Sequence, residues 1–147
     1  MTVDDQIRDV LITRDIDGFV AGDFELVRSD FDESQFTAYS GADGSMRLTY
    51  PDLEGYRADW LAQAETFRDV DPAVLTAQLH AVQRIARLEV SGTQALATKI
   101  FDGEVDTPVG PTILAWTTYY FLRAHESEHR WLITGFVGYL PSTWSTS

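Results

Sequence analysis

The stretch from His80 to Ala97 constrains the fold of this chain most strongly. Its residues alternate in character, with Val82, Ala86, Leu88 and Val90 on one parity and Gln83, Arg87 and Glu89 on the other. A period of two is typical of a β-strand with one buried face. His80 and Arg84 have the buried parity, so each needs a polar partner or a wet cavity. Ser91-Gly92-Thr93 then favours a tight turn into a second strand, Ala95 to Phe101.

The N-terminal segment predicts a helix from Val3 to Ala21. Its apolar residues recur at helical spacing, namely Val3, Ile7, Val10, Leu11, Ile12, Ile16, Phe19 and Val20. Asp15 lies four residues after Leu11 and four before Phe19, which favours the inward face of this helix. Further helices are predicted from Phe24 to Phe31 and, after a cap at Asp52, to about Asp69.

The remaining segments read as strands. They are Gln35 to Ser40, Arg47 to Tyr50, Thr112 to Ala124 and Arg130 to Leu140. Helices and short strands come first, followed by a run of long strands, and this order is typical of an α+β architecture. We predict one domain over residues 1–147: a curved, mostly antiparallel sheet wrapped around the N-terminal helix and two further helices. The shape would be a cone with an internal pocket, followed by a loose tail at 141–147.

Composition excludes several classes of partner. The chain has 11 basic and 23 acidic residues, and its formal net charge is −12. A polyanionic surface repels nucleic-acid phosphate and anionic lipid, so we expect neither nucleic acid nor membrane as a partner. There is no cysteine, which rules out disulfides and thiolate ligands. No apolar run approaches the ~20 residues of a membrane helix. We expect a cytoplasmic protein.

The order of elements resembles the nuclear transport factor 2-like superfamily, specifically its SnoaL-like and scytalone-dehydratase-like members. Three stretches carry the resemblance: FVAGDFELVRSDF, HAVQRIARLEVSGTQALATKIF and HRWLITGFVGYL. It covers nearly the whole chain and implies the cone with its pocket. The superfamily contains dehydratases, isomerases, cyclases, ring-hydroxylase small subunits and non-enzymatic binders, so the resemblance alone implies no single activity.

The resemblance also suggests site residues. His80 falls where dehydratase-like members carry a catalytic histidine, and Tyr39 falls near their strand tyrosine that polarises a carbonyl. In the ketosteroid-isomerase arrangement, Tyr39 stands where the base aspartate would be, and Asp15 where a helix tyrosine would be. Neither set is complete, because Val20 replaces an expected acidic residue and no histidine stands near Leu114.

We predict a catalytic set of His80, Tyr39 and Asp15. His80 would be the general base, since an imidazole titrates near neutral pH; alternatively it is a strand-start histidine bonded to backbone or water. Tyr39 would donate to a developing oxyanion, or would be a half-buried aromatic with its hydroxyl at the surface. Asp15 would orient His80, pair with Arg84, or remain a solvated carboxylate.

The predicted ligand pocket is lined by Phe19, Trp60, Arg84, Trp116 and Tyr120. On the long aromatic strand, Trp116 and Tyr120 share one parity while Tyr119 and Phe121 share the other, so one pair should face the cavity. The other pair would face solvent or a second subunit. The alternative is that these aromatic residues form plain core.

The sequence favours a cofactor-independent lyase or isomerase that abstracts a proton next to the carbonyl of a small apolar or aromatic compound. The alternative is a non-catalytic binder, or a partner subunit, of the same fold. We expect no cofactor and no metal, because His125 to His129 reads as a hairpin tip rather than a ligand set. The last two strands are apolar on both faces, which predicts a homodimer across the outer face of the sheet.

Overall fold

The computed structural model describes residues 1–41, 45–125 and 130–138. The predicted tail at 141–147 lies outside these residues. The helices are α1 (Val3–Arg8), α2 (Arg14–Ala21), α3 (Leu53–Glu65) and α4 (Pro72–Val82). The strands are β1 (Thr37–Ser40), β2 (Arg47–Tyr50), β3 (Gln83–Ser91), β4 (Gln94–Thr107), β5 (Gly110–His125) and β6 (Arg130–Gly138).

The N-terminal helix has the predicted bounds, but a π-helical turn at Asp9–Thr13 separates α1 from α2. Thr2 begins the helix by accepting a hydrogen bond from the Asp5 amide, and the Asp5 carboxylate accepts one from the Thr2 amide in return. Gly22 ends it with φ of 67°, a left-handed conformation that glycine adopts without steric cost. The sequence pattern predicted both ends and missed the π-helical turn.

The predicted helix from Phe24 to Phe31 is replaced by two short 3-10 turns, Phe24–Leu26 and Arg28–Asp30. Asp23 caps the first turn by accepting a hydrogen bond from the Glu25 amide. Val27 lies between the turns with φ of −118°, and this angle interrupts a continuous helix.

The strands form one six-stranded sheet in the order β2-β1-β6-β5-β4-β3. All neighbouring pairs are antiparallel except β1 and β6, which are parallel. The sheet is curled and does not close. Buried residues from the helices and from the inner face of the sheet form a single core. The predicted α+β class and the mostly antiparallel sheet are confirmed. Among the described residues, no helix combines the length and apolar character needed to cross a membrane.

Helix α4 occupies the region where the alternation predicted the beginning of a strand. Leu75, Leu79 and Val82 are buried at helical spacing and fix its inner face. Asp71 caps this helix by accepting hydrogen bonds from the amides of residues 73 and 74, and Pro72 occupies its first turn, where no amide is needed. The chain therefore leaves α4 only at Gln83, and the prediction of a strand from residue 80 is wrong.

Strand β3 contains a bulge that changes which residues point inward. Gln83 and Ile85 are buried while Arg84 is exposed. The pairing with β4 shifts register between Ile85 and Arg87, and beyond the shift Leu88 is half-buried. An extra residue in one strand moves every following side chain to the opposite face. The predicted inward parity is therefore wrong before the bulge and holds at Leu88 after it.

The cap of α4 can be tested with Asp71→Ala. Loss of an N-cap acceptor should lower the free energy of unfolding by about 1 kcal/mol. The neighbouring exposed Asp69 caps no helix, so Asp69→Ala should stay within about 0.5 kcal/mol of the parent protein. Urea unfolding followed by circular dichroism measures both values. Equal stabilities for the two variants would contradict the assigned helix start.

Candidate functional site

A cavity lies between the helices and the inner face of the sheet. Its lining consists of Asp15, Ile16, Phe19, Tyr56, Trp60, Gln63, Leu79, Gln83, Phe101, Trp116, Thr118, Tyr120 and Phe136. Its volume is about 60 Å³. An apolar cavity of about 150 Å³ holds benzene, so this one suits a smaller molecule or one end of a larger molecule.

The register of the sheet explains why these residues meet. Gln83 pairs with Phe101, and Phe101 pairs with Trp116, which forms one rung across β3, β4 and β5. In the next rung Lys99 pairs with Thr118. In the third, Ala97, Tyr120 and Phe136 lie side by side. Alternate residues of a strand share a face, so the three rungs build one continuous floor.

Asp15 on α2 supplies the carboxylate of the cavity. One oxygen accepts a hydrogen bond from Trp60 Nε1 at 3.3 Å, and the other lies 3.6 Å from Lys99 Nζ. The side chain is 28% exposed, so a small molecule can reach it. Asp15 is also the only charged side chain among the described residues that line the cavity.

Lys99 is the single lysine of the chain, and it is only 1% exposed. Its ammonium donates to the carbonyl of Leu11, inside the π-helical turn. It also lies 4.9 Å from the ring centre of Phe101 and 5.8 Å from that of Tyr120, within cation–π range. Burial lowers the pKa of Lys99, and the nearby Asp15 carboxylate opposes this shift. The lysine thus lies directly behind the cavity wall, in contact with its carboxylate.

Two tyrosines give the cavity hydrogen-bond donors. Burial raises the pKa of Tyr56 well above its ordinary value, and the negative charge of Asp15 adds to the effect. Burial and the Asp15 charge raise the pKa of Tyr120 in the same way. Both hydroxyls therefore stay protonated at neutral pH and can donate to an oxygen atom.

Gln83 lines the cavity and carries an unsatisfied polar atom. The residue is 9% exposed, and its side-chain oxygen is buried with no hydrogen-bond partner among the residues that the structure describes. Leaving a buried acceptor unpaired costs about 1–3 kcal/mol. Such a group in a cavity marks a position where a bound molecule can supply a donor.

Comparison with known proteins shows which fold surrounds this cavity. No family model and no curated protein matches the sequence. An NTF2-like protein of unknown function from Silicibacter pomeroyi aligns over 94% of this chain and 98% of its own, with 15% identity and a TM-score of 0.60. A ketosteroid isomerase-like protein from Erwinia carotovora aligns over 92% and 93%, with 13% identity and a TM-score of 0.59. A cystatin-like domain of unknown function from Nostoc punctiforme covers 93% of this chain and 76% of its own, with 14% identity and a TM-score of 0.60.

The chain has the NTF2-like fold. The predicted resemblance is confirmed at this level, that of architecture. At identities of 13–15%, these neighbours show a shared backbone arrangement, and activity has to be argued from the site.

The NTF2-like cavity brings together Asp15, Phe19, Trp60, Trp116 and Tyr120, all named from the sequence. Phe19 and Trp60 pack edge to face with ring centres 5.6 Å apart. Trp116 instead stacks on Phe101 at 4.3 Å, so the cavity is lined by aromatic rings from both helices and strands.

Three other predicted site residues lie outside the cavity. His80 is exposed in the last turn of α4, because Leu79 and Val82 take the buried face of that helix. Tyr39 is 40% exposed, since its neighbour Ala38 takes the inward position on β1. Arg84 is exposed because it precedes the bulge in β3. The inward positions predicted for His80 and Arg84, and with them a base role for His80 inside the cone, are wrong, and Tyr39 does not line the cavity.

Sequence reasoning missed Lys99, Tyr56 and Gln83 as site residues. Lys99 shares the parity of Ala97 and Phe101, and it is the only lysine, so the strand pattern contained a usable signal. Tyr56 lies at helical spacing from Leu53 and Trp60 on α3, and this pattern alone does not separate core from cavity lining. Gln83 could be placed only after the start of β3 and its bulge were known.

The described residues contain no group of three or more histidine, aspartate or glutamate side chains arranged to hold a metal ion. Most of the predicted hairpin tip, from Glu126 to His129, lies outside those residues.

The buried lysine predicts a pH dependence of stability. Its folded-state pKa lies below its ordinary value of 10.5, so between these two values the unfolded chain binds more protons than the folded one. The free energy of unfolding should therefore rise with pH through this window. Urea unfolding at several pH values above 7 should show a steeper rise for the parent protein than for Lys99→Met, which keeps the length without the charge.

Nitrogen-15 labelling of lysine allows the pKa of Lys99 to be measured directly, because the chain contains a single lysine. Its ammonium signal should titrate at lower pH in the folded protein than in urea. In Asp15→Asn the folded pKa should fall further, because the favourable negative charge is removed. Identical titration in folded and unfolded protein would contradict the assigned burial.

Proposed function

We propose that this protein is a cofactor-independent isomerase or lyase that moves a proton next to the carbonyl group of a small molecule. The observation that carries the proposal is the Asp15 carboxylate on the wall of an aromatic cavity that also contains Tyr56 and Tyr120. Proton abstraction next to a carbonyl needs a base and a donor for the oxygen that gains charge. The cavity contains both kinds of group.

In the proposed reaction, Asp15 takes the proton from the carbon next to the carbonyl. The electron pair of the broken C–H bond forms the enolate, whose oxygen accepts a hydrogen bond from the hydroxyl of Tyr120 or Tyr56. Asp15 then returns the proton to a different carbon in an isomerase. In a lyase, the enolate instead re-forms the carbonyl and makes a carbon–carbon double bond, which breaks the C–O bond of a hydroxyl on the next carbon. That hydroxyl takes the proton from Asp15 and leaves as water. No electrons enter or leave in either case.

The surroundings of Asp15 support this role. Trp60 Nε1 holds one carboxylate oxygen in place, and each carboxylate oxygen can accept more than one hydrogen bond. Lys99 Nζ lies 3.6 Å from the other oxygen, so the carboxylate is held from two sides. The aromatic rings of the lining exclude bulk water and strengthen hydrogen bonds to the enolate. The ketosteroid isomerase-like neighbour shows that this backbone arrangement also occurs in a protein so named.

Asp15→Asn tests the proposal. With allyl methyl ketone as the probe, the protein should form the conjugated ketone, seen as rising ultraviolet absorbance. With butanone in deuterium oxide, it should accelerate exchange of the protons next to the carbonyl. Loss of the base should lower both rates ~100- to 10,000-fold.

Asp17→Asn is the matched control, since Asp17 is exposed on the same helix, and it should keep the parental rate. Circular dichroism of both variants checks that the fold is intact. Parental rates in Asp15→Asn, or no acceleration by the parent protein over buffer, would contradict proton transfer by Asp15.

A non-catalytic binder is the second candidate, and one observation favours it. Both oxygens of Asp15 already have partners in Trp60 and Lys99, as a carboxylate with a structural role would. For a binder, small ketones should raise the melting temperature while their protons next to the carbonyl exchange only at the rate in buffer. The exchange experiment therefore separates the two functions.

The predicted homodimer across the outer sheet face is also a proposal. Tyr119 and Phe121 on β5 are exposed on the face opposite Trp116 and Tyr120. Covering apolar surface of this kind favours association. Light scattering at micromolar concentration should give twice the 16.5 kDa mass of the chain. Phe121→Glu should shift the protein toward monomer. Ile113→Glu, farther along the same strand, is the comparison variant and should leave the mass unchanged.

A further inference from the structure

We propose that the natural ligand of this cavity is an uncharged hydroxy-carbonyl compound whose hydroxyl group donates to the side-chain oxygen of Gln83. That the ligand contains a carbonyl group rests on the proposed function. That the ligand also contains a hydroxyl group rests on Gln83 itself, whose side-chain oxygen is buried without a partner among the described residues.

The position of Gln83 makes it part of the binding surface. It stands at the start of β3, immediately after α4, and its Cα pairs with that of Phe101. Phe101 in turn stacks on Trp116, so the amide lies at one end of an aromatic floor. Gln83 lines the cavity, and the last torsion of a glutamine side chain is broad, so its amide can rotate about that bond.

The charge of the lining selects the class of ligand. Asp15 is the only charged side chain among the described lining residues, and no arginine or lysine side chain belongs to that lining. The nearby Lys99 does not line the cavity and already contacts Asp15 and the Leu11 carbonyl. An anionic ligand would therefore meet the Asp15 carboxylate without a cationic side chain of its own to bind, which disfavours carboxylic acids and phosphates. The volume of about 60 Å³ further favours a compact molecule.

The hydrogen-bonding groups then assign the two ends of the ligand. Tyr56 and Tyr120 have protonated hydroxyls that donate to a carbonyl oxygen. Gln83 offers an acceptor, which a hydroxyl satisfies and a methyl or ether group does not. A site built to bond a hydroxyl rejects an analogue without one, because its own polar group is then left unpaired.

The test uses three probes of similar size: hydroxyacetone, butanone and methoxyacetone. Hydroxyacetone carries a donor, butanone replaces its hydroxyl with a methyl group, and methoxyacetone carries only an acceptor. Dissociation constants are measured by titration of backbone amide signals in nuclear magnetic resonance. Hydroxyacetone should bind roughly threefold to tenfold more tightly than either analogue, the value of one neutral hydrogen bond.

Gln83→Leu should abolish this preference, because leucine removes the acceptor while keeping much of the volume. The variant should remain folded, since the change also removes an unpaired buried oxygen. Gln78→Leu is the matched control: Gln78 lies on α4, its amide pairs with Asp106, and it does not line the cavity. The control should keep the preference for hydroxyacetone.

Several results would overturn the inference. They are equal affinity of the parent protein for hydroxyacetone and butanone, tighter binding of methoxyacetone, a preference that survives in Gln83→Leu, and no binding of any probe. These readouts are binding constants and do not depend on turnover. If the protein prefers hydroxyacetone but does not accelerate proton exchange, the ligand class is supported and the enzyme proposal is contradicted. If it accelerates exchange but shows no preference for hydroxyacetone, the enzyme proposal is supported and the ligand class is contradicted.

Discussion

The burial of Lys99 between the sheet and the N-terminal helix is the contact on which the site depends. A lysine that is 1% exposed has lost its water, so its ammonium must find protein partners. It finds them in the Leu11 carbonyl and the Asp15 carboxylate, both on the N-terminal helical segment. The π-helical turn contains Leu11, and it allows a backbone oxygen of a helix to bond a side chain of a strand. One side chain thereby ties β4 to that segment and fixes Asp15 at the cavity.

Close backbone approaches complete this arrangement. A Cβ on Gly18 would lie 2.8 Å from Val27 and 3.6 Å from Trp60, so glycine lets α2 approach the indole that bonds Asp15. A Cβ on Gly103 would lie 2.5 Å from Val82, and its φ of 151° is also one that other residues rarely adopt. Gly103 thus allows the end of α4 to press against β4, which is the contact that delivers Gln83 to the cavity. The two glycines set the spacing between the helices and the sheet.

Local patterns predicted the fold well and the site only in part. Helix stripes, caps and the order of long strands were enough for the α+β cone, and the helical spacing from Leu11 to Phe19 placed Asp15 correctly. The inward positions predicted for His80 and Arg84 were wrong because both predictions extended one alternating pattern through the end of a helix and a β-bulge. The Asp71-Pro72 cap signalled the helix, but the register shift after Ile85 depends on pairing with β4. No pattern within a single strand contains that information.

The distribution of polar groups also explains why motifs of known enzymes are a poor guide to this chain. Relative to the ketosteroid-isomerase arrangement, the carboxylate stands on the helix where a tyrosine was expected, and Tyr120 stands on the sheet facing it. Proton abstraction requires a base and an oxyanion donor on the same small cavity, whichever element carries each. The curled sheet and the helix approach each other closely enough for the charge of Asp15 to raise the pKa of Tyr120. In the proposed reaction the base and the oxyanion donor would therefore stand on opposite sides from that arrangement, on the same fold.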